Sequence, residues 1–132
     1  MKSLCVLGLT AVVLRSATPG FAAPANDSFA NAIPLSGLAV TTTGSSVGAT
    51  KEPSEPNHGG NNGGASVWWT WTAPSNVAVS VSTAGSTYDT ILTVYTGASL
   101  GALLSVDCND DYIPGSYYNA LIDTKTPGTT MS

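Results

Sequence analysis

A chain of 132 residues, 42% hydrophobic and 9% charged, has the size of one domain and excludes a multi-domain enzyme. Soluble domains carry about 25% charged residues, so this surface is built mostly from Ser, Thr, Asn and Gly. Four basic residues against eight acidic ones give a net charge of -4, which excludes a nucleic-acid binder, because neutralising phosphates takes clustered Lys and Arg. The 3 Trp, 5 Tyr and 2 Phe are enough anchors for a small folded core.

The N-terminus reads as an export signal. Met1-Lys2-Ser3 is followed by an uncharged run at residues 4–14, LCVLGLTAVVL, of 11 residues. That is about half the ~20 residues a spanning helix needs, and it matches the hydrophobic region of a secretory signal. Gly20 and Ala22 stand at the -3 and -1 positions of a cut after Ala22, and Pro24 disfavours a cut one residue later. Cleavage leaves two lysines against eight acids, a net of -6, and Cys108 as the one remaining thiol. A thiol without a partner in an exported chain points to a buried Cys, an intermolecular bridge or an incomplete sequence. A lipoprotein would need a Cys at the cleavage site and none stands there, so a lipid anchor is not expected. The expected location is secreted or extracellular, the periplasm included, with no membrane span in the mature chain.

In chain order, residues 24–31 (PANDSFAN) form an opening segment anchored by Phe29, with Asp27 as N-cap of one helical turn over 28–32. Residues 38–43 (LAVTTT) are β-branched and predict a short strand. Residues 51–64 (KEPSEPNHGGNNGG) hold two Pro, four Gly and three Asn and predict a loop. Residues 66–72 (SVWWTWT) give the strongest strand, with Val67, Trp69 and Trp71 on one face and Trp68, Thr70 and Thr72 on the other. Val77, Val79 and Val81 mark a second strand, residues 90–96 (TILTVYT) a third and 102–106 (ALLSV) a fourth. A weaker one is expected at 119–124 (NALIDT). Strands at this spacing, punctuated by Gly, Pro and Asn, predict an all-β sandwich or barrel of antiparallel hairpins.

Five pieces then stand in order: NDSFANA at 26–32, EPSEPNH at 52–58, SVWWTWTAP at 66–74, YDTILTVYTG at 88–97 and NDD at 109–111. Over residues 26–111 the chain resembles the bacterial pre-peptidase C-terminal domain family. The resemblance implies an antiparallel, jelly-roll-like β-sandwich of the kind appended to secreted proteases and other exported enzymes. It ends after Asp111, where members of that family continue through further strands. The expected organisation is therefore a signal peptide at 1–22, a module at 23–111, and a diverged or truncated tail at 112–132 that leaves the sandwich incomplete.

Candidate chemistry is sparse. His58 is the one histidine, no G-x-S-x-G turn exposes a nucleophile, and one His with one Cys is too few for zinc. The glycines at 59–64 lack the Lys-Ser/Thr of a phosphate-binding loop. Cys108 and His58 would make a thiolate pair only if the fold joined them. Catalysis is not expected, and a small hydrolase is the weakest of the readings. Asp107, Asn109, Asp110 and Asp111 crowd four oxygen-bearing side chains into five positions, a set suited to Ca²⁺. The loop is not an EF-hand, because Tyr112 and Tyr118 stand where Gly and Glu belong. The resemblance adds Asp27 to this calcium set. The competing reading is a solvated turn with local side-chain-to-backbone bonds. Asp89 divides the same way, between a ligand and a turn-closing carboxylate. Trp68, facing away from Trp69 and Trp71, is either a stacking platform for a ligand or part of the core. The function expected is a non-catalytic accessory module that binds an extracellular protein, a polysaccharide or a secreted catalytic domain. The alternative is a spacer or removable extension with no ligand.

Overall fold

The computed structural model of the protein describes residues 20–75, 78–110, 121–124 and 130–131. Residues 1–19 of the expected signal peptide at 1–22, Val77, Asp111 and the start of the expected strand at 119–124 lie outside these. Among the described residues seven strands form: β1 (Ile33–Leu35), β2 (Trp69–Thr72), β3 (Val79–Ser82), β4 (Leu92–Thr96), β5 (Leu104–Asn109), β6 (Leu121–Thr124) and β7 (Thr130–Met131). Two single 3-10 turns, Phe29–Asn31 and Leu100–Ala102, join them, and there is no α-helix among the described residues. The all-β expectation holds.

The pairing departs from a run of antiparallel hairpins. β1 pairs with β2 in parallel, Ile33 opposite Trp69 and Leu35 opposite Trp71, and β7 covers the other edge of β2. Residues 36–68 are long enough to bring the chain back in the same direction, which a parallel pair requires. β3 does not pair with either sequence neighbour but with β6, antiparallel, Val79 opposite Thr124. Among the described residues, the one antiparallel pairing of consecutive strands is β4 with β5, across the short connection 97–103. Gly97 opens that connection at φ 146, where an added Cβ would lie 2.8 Å from the Ala102 carbonyl oxygen. The register shifts between Val94, opposite Asp107, and Tyr95, opposite Ser105, so that Val106 is the extra residue of a bulge in β5, and Val94 and Tyr95 are both buried.

Residues 38–43 are not a strand. The segment that contains them covers the Trp69/Trp71 face of β2 instead. The Trp71 indole donates to the Gly37 carbonyl at 2.8 Å, and the Trp69 ring passes so close to Gly44 that a Cβ there would meet it at 2.6 Å. Trp71 is buried and Trp69 half-buried. On the opposite face Trp68 is 5% exposed. Its backbone is gripped from two sides: Trp68 N–H donates to Asn26 O, while Trp68 O accepts from Asn26 Nδ2 and from Ile33 N–H. Both faces of the Trp-rich segment are therefore covered, and Trp68 joins the core beside Trp71, Val94 and Tyr95. The tail is not outside the sheets, since β6 and β7 supply the ladder partners of β3 and β2.

Candidate functional site

The densest chemistry sits where the 51–64 loop folds over β4. Glu52-Pro53-Ser54-Glu55 makes a turn, with Glu55 N–H donating to Glu52 O at 3.1 Å. Pro53 presets the second position, and Ser54 takes φ 72, a left-handed conformation uncommon outside glycine. Glu55 Oε2 accepts the Glu52 N–H at 2.8 Å, and this closes the turn and aims the carboxylate inward. Three residues on, His58-Gly59-Gly60-Asn61 turns again, Asn61 N–H to His58 O at 2.8 Å. Gly59 and Gly60 both hold positive φ, 57 and 81, as a turn of this hand demands.

These two turns place the His58 ring between a carboxylate and a phenol. Nε2 lies 2.7 Å from Glu55 Oε1, and Nδ1 lies 2.9 Å from Tyr95 Oη. The Glu55 side chain is 0% exposed and that of His58 is 18% exposed. With Glu55 as acceptor the Nε2 atom carries a hydrogen, and Nδ1 is the atom that meets the Tyr95 hydroxyl. Tyr95 is 2% exposed; burial first, with the Glu55 charge adding to it, raises its pKa above the ordinary 10.0, so its proton stays in place through neutral pH. The His58 and Tyr95 rings each pack beside Trp68, at 5.5 and 6.1 Å between centroids, and Phe29 meets Trp68 edge-on at 5.3 Å.

Carboxylate, imidazole and hydroxyl in this order have the sequence of an activated nucleophile. The hydroxyl here is a phenol enclosed by the loop and by Trp68, out of reach of a substrate. What the arrangement does is hold the loop to the sheet: the buried polar atoms of Glu55, His58 and Tyr95 find partners in one another and in the Glu52 N–H, and an unpartnered one would cost about 1–3 kcal/mol.

Of the residues singled out in the sequence, Asp27 has both oxygens engaged by Thr50, from N–H at 2.5 Å and Oγ1 at 2.9 Å. The N-cap of the 3-10 turn is Ser28, which makes no side-chain cap bond, so Asp27 is not the cap: its carboxylate is drawn across to the base of the loop. Phe29 N–H donates to Glu52 Oε2 at 2.6 Å in the same clasp. Asp107 Oδ1 accepts the Cys108 N–H at 2.8 Å. Asp107, Cys108 and Asp110 are exposed and Asn109 half-buried at the end of β5, while Asp111 lies outside the described residues. Among the described residues no three His, Cys, Asp or Glu side chains converge as a metal site. Cys108 is a free thiol on β5, and both His58 nitrogens are engaged elsewhere, so the two do not pair. Asp89 is exposed, whereas Thr90 beside it is buried and shares a 2.7 Å hydroxyl contact with Thr83. Trp68 is not a stacking platform, because Phe29, His58 and Tyr95 enclose its ring.

An open cleft of about 290 Å³ lies on the other side of β2, lined by Leu38, Trp71, Ala78, Val79 and Ser80. Leu38 is 70% exposed on its rim, with Val40 exposed nearby in sequence. In the sequence His58 stands within the predicted loop 51–64, with nothing local to mark its two partners. Glu55, three positions before it, is one polar loop residue among others, and Tyr95 lies 37 positions further on. No helix among the described residues is long and apolar enough to cross a membrane.

No family model matches the chain, and no curated protein or solved structure matches it either. The likeness to pre-peptidase C-terminal domains rests on the sequence motifs alone.

Proposed function

We propose that the chain is a non-catalytic accessory module of an exported bacterial protein, a β-sandwich of the pre-peptidase C-terminal type, which binds a protein partner. That partner is an extracellular protein or the catalytic domain of a secreted enzyme. The observation that carries this reading is the placement of the large apolar side chains. Trp68 and Trp71 are withdrawn and Trp69 half-buried, which leaves no free indole face for a sugar ring. Leu38 instead stands exposed at the rim of the Trp71 cleft, the kind of aliphatic surface that protein contacts use. The enclosed Tyr95 supports a module without catalysis, and the five ordered motifs support the family.

The test is retention of the processed chain, starting at Ala23, on immobilised secreted enzymes and matrix proteins, with insoluble polysaccharides alongside. Binding to protein that Leu38→Asp abolishes, without loss of the fold, is the expected result. Retention on polysaccharide alone would move the module to the carbohydrate class. No retention on either would leave the spacer reading.

A further inference from the structure

The outer side of the 51–64 loop carries a second polar cluster, separate from the Glu55–His58–Tyr95 contact. Asn62 is followed by Gly63, and Asn57, Asn61, Asn62 and Gly63 are all exposed. A glycine on the C-terminal side of an asparagine lets its amide nitrogen approach the side-chain carbonyl without interference from a Cβ. Attack of Gly63 N on Asn62 Cγ forms a C–N bond and breaks the Cγ–Nδ2 bond, and the proton lost by the Gly63 amide is taken up, through solvent, by the departing Nδ2, which leaves as ammonia. The product is a five-membered succinimide. Water then opens that ring to aspartate or isoaspartate.

The atoms that must move are the ones held. Gly63 N–H, which has to lose its proton before attack, donates to Asn61 Oδ1 at 2.9 Å. Asn62 Oδ1, which has to swing toward Gly63, accepts from Asn57 Nδ2 at 2.9 Å. Lys51 Nζ ties the clasp together, donating to Asn57 Oδ1 at 2.7 Å and to Asn62 O at 2.8 Å. We infer that Asn62 is a deamidation site and that the clasp of Lys51, Asn57 and Asn61 sets its rate. The bond is protected while the loop is closed and reacts when the loop opens. Reaction places a carboxylate beside Lys51, and the isoaspartate form lengthens the backbone whose carbonyl Lys51 grips, so the modified loop cannot close as before.

The experiment incubates the exported full chain in warm, mildly alkaline buffer, folded and in urea. It follows the amide-to-acid mass change and maps isoaspartate in peptides. Modification at Asn62 is expected, slower in the folded chain by about tenfold, the factor that one or two broken hydrogen bonds represent. Lys51→Met and Asn57→Ala should each bring the folded rate toward the unfolded one, with circular dichroism and Trp fluorescence unchanged. If either variant fails to fold, the folded-against-unfolded comparison of the unaltered chain still decides. Equal rates in the two states, folded variants no faster than the parent, or modification centred on Asn57 or Asn61 would each overturn the inference.

Discussion

Tyr95 holds its proton more tightly than a phenol in water because burial penalises the phenolate. Its folded pKa lies above the unfolded 10.0, so the stability it contributes is complete below pH 10.0 and is lost as pH rises through the elevated value. Tyr95→Phe should lower the melting midpoint at neutral pH by the loss of the His58 contact, about 0.5–1.5 kcal/mol. It should also flatten the alkaline fall of stability relative to the parent. Melting curves from neutral to alkaline pH that run parallel for the two proteins would show that Tyr95 does not control that limb. At the end of β5, the calcium proposal for Asp107, Asn109, Asp110 and Asp111 is tested in the same way. Bound metal stabilises only the folded chain, by about 2.7 kcal/mol at a hundredfold excess over Kd. Calcium should therefore raise the midpoint, EDTA reverse the rise and Asp110→Ala remove it; superimposed curves would leave a local turn, of which the Cys108 N–H to Asp107 bond is already one element.

Within elements, β2 shows how alternation and burial separate. Trp69 and Trp71 share a face as their spacing requires, yet Trp68 and Trp71 are the buried pair. Trp68 sits just before the strand, where the opening segment and the 51–64 loop both close on it. Trp68→Ala should cost about 3–5 kcal/mol, the usual range for removing a buried Trp, and Trp69→Ala clearly less. Urea unfolding gives the order, and a reversed order would put Trp69 at the centre of the core. In the β4–β5 connection, Gly97→Ala meets both an unfavourable φ of 146 and a backbone oxygen at 2.8 Å. A loss of about 1–3 kcal/mol is expected, read from the same unfolding curves; an unchanged midpoint would mean that the connection relaxes freely.

At the level of the whole molecule, the tail closes what the sequence motifs leave open. β6 is the ladder partner of β3, and β7 flanks β2 on the side away from β1. β4 also approaches both β6 and β7. A chain ended after Asp110 would leave β3 without a ladder and one edge of β2 bare, and unpaired edges invite association. A domain of this size has about 5–15 kcal/mol of stability in total, so the shortened chain should be aggregated or unfolded by size-exclusion chromatography and circular dichroism. A soluble monomer with an unchanged melting curve would show that residues 23–110 form the domain by themselves.

Alternation of apolar residues and the placement of Gly, Pro and Asn are local properties, and they determined what is local here. The all-β class, the 51–64 loop and strands β2 to β5 within a few residues were legible without coordinates. The Glu55–His58 pair was not, because nothing local sets it apart from the other polar residues of the loop. Tertiary structure alone decided which strands meet, as in the parallel β1–β2 pair and the union of β3 with β6. It decided that residues 38–43 lie in a cover over indole rings and not in a strand. It also decided that Asp27 is spent on Thr50, 23 positions away, and Asn26 on Trp68, 42 positions away. The reason is physical. Burial of a face is written in the spacing of neighbours, but the partner of a buried carboxylate, phenol or indole is whichever surface loop closure brings to it.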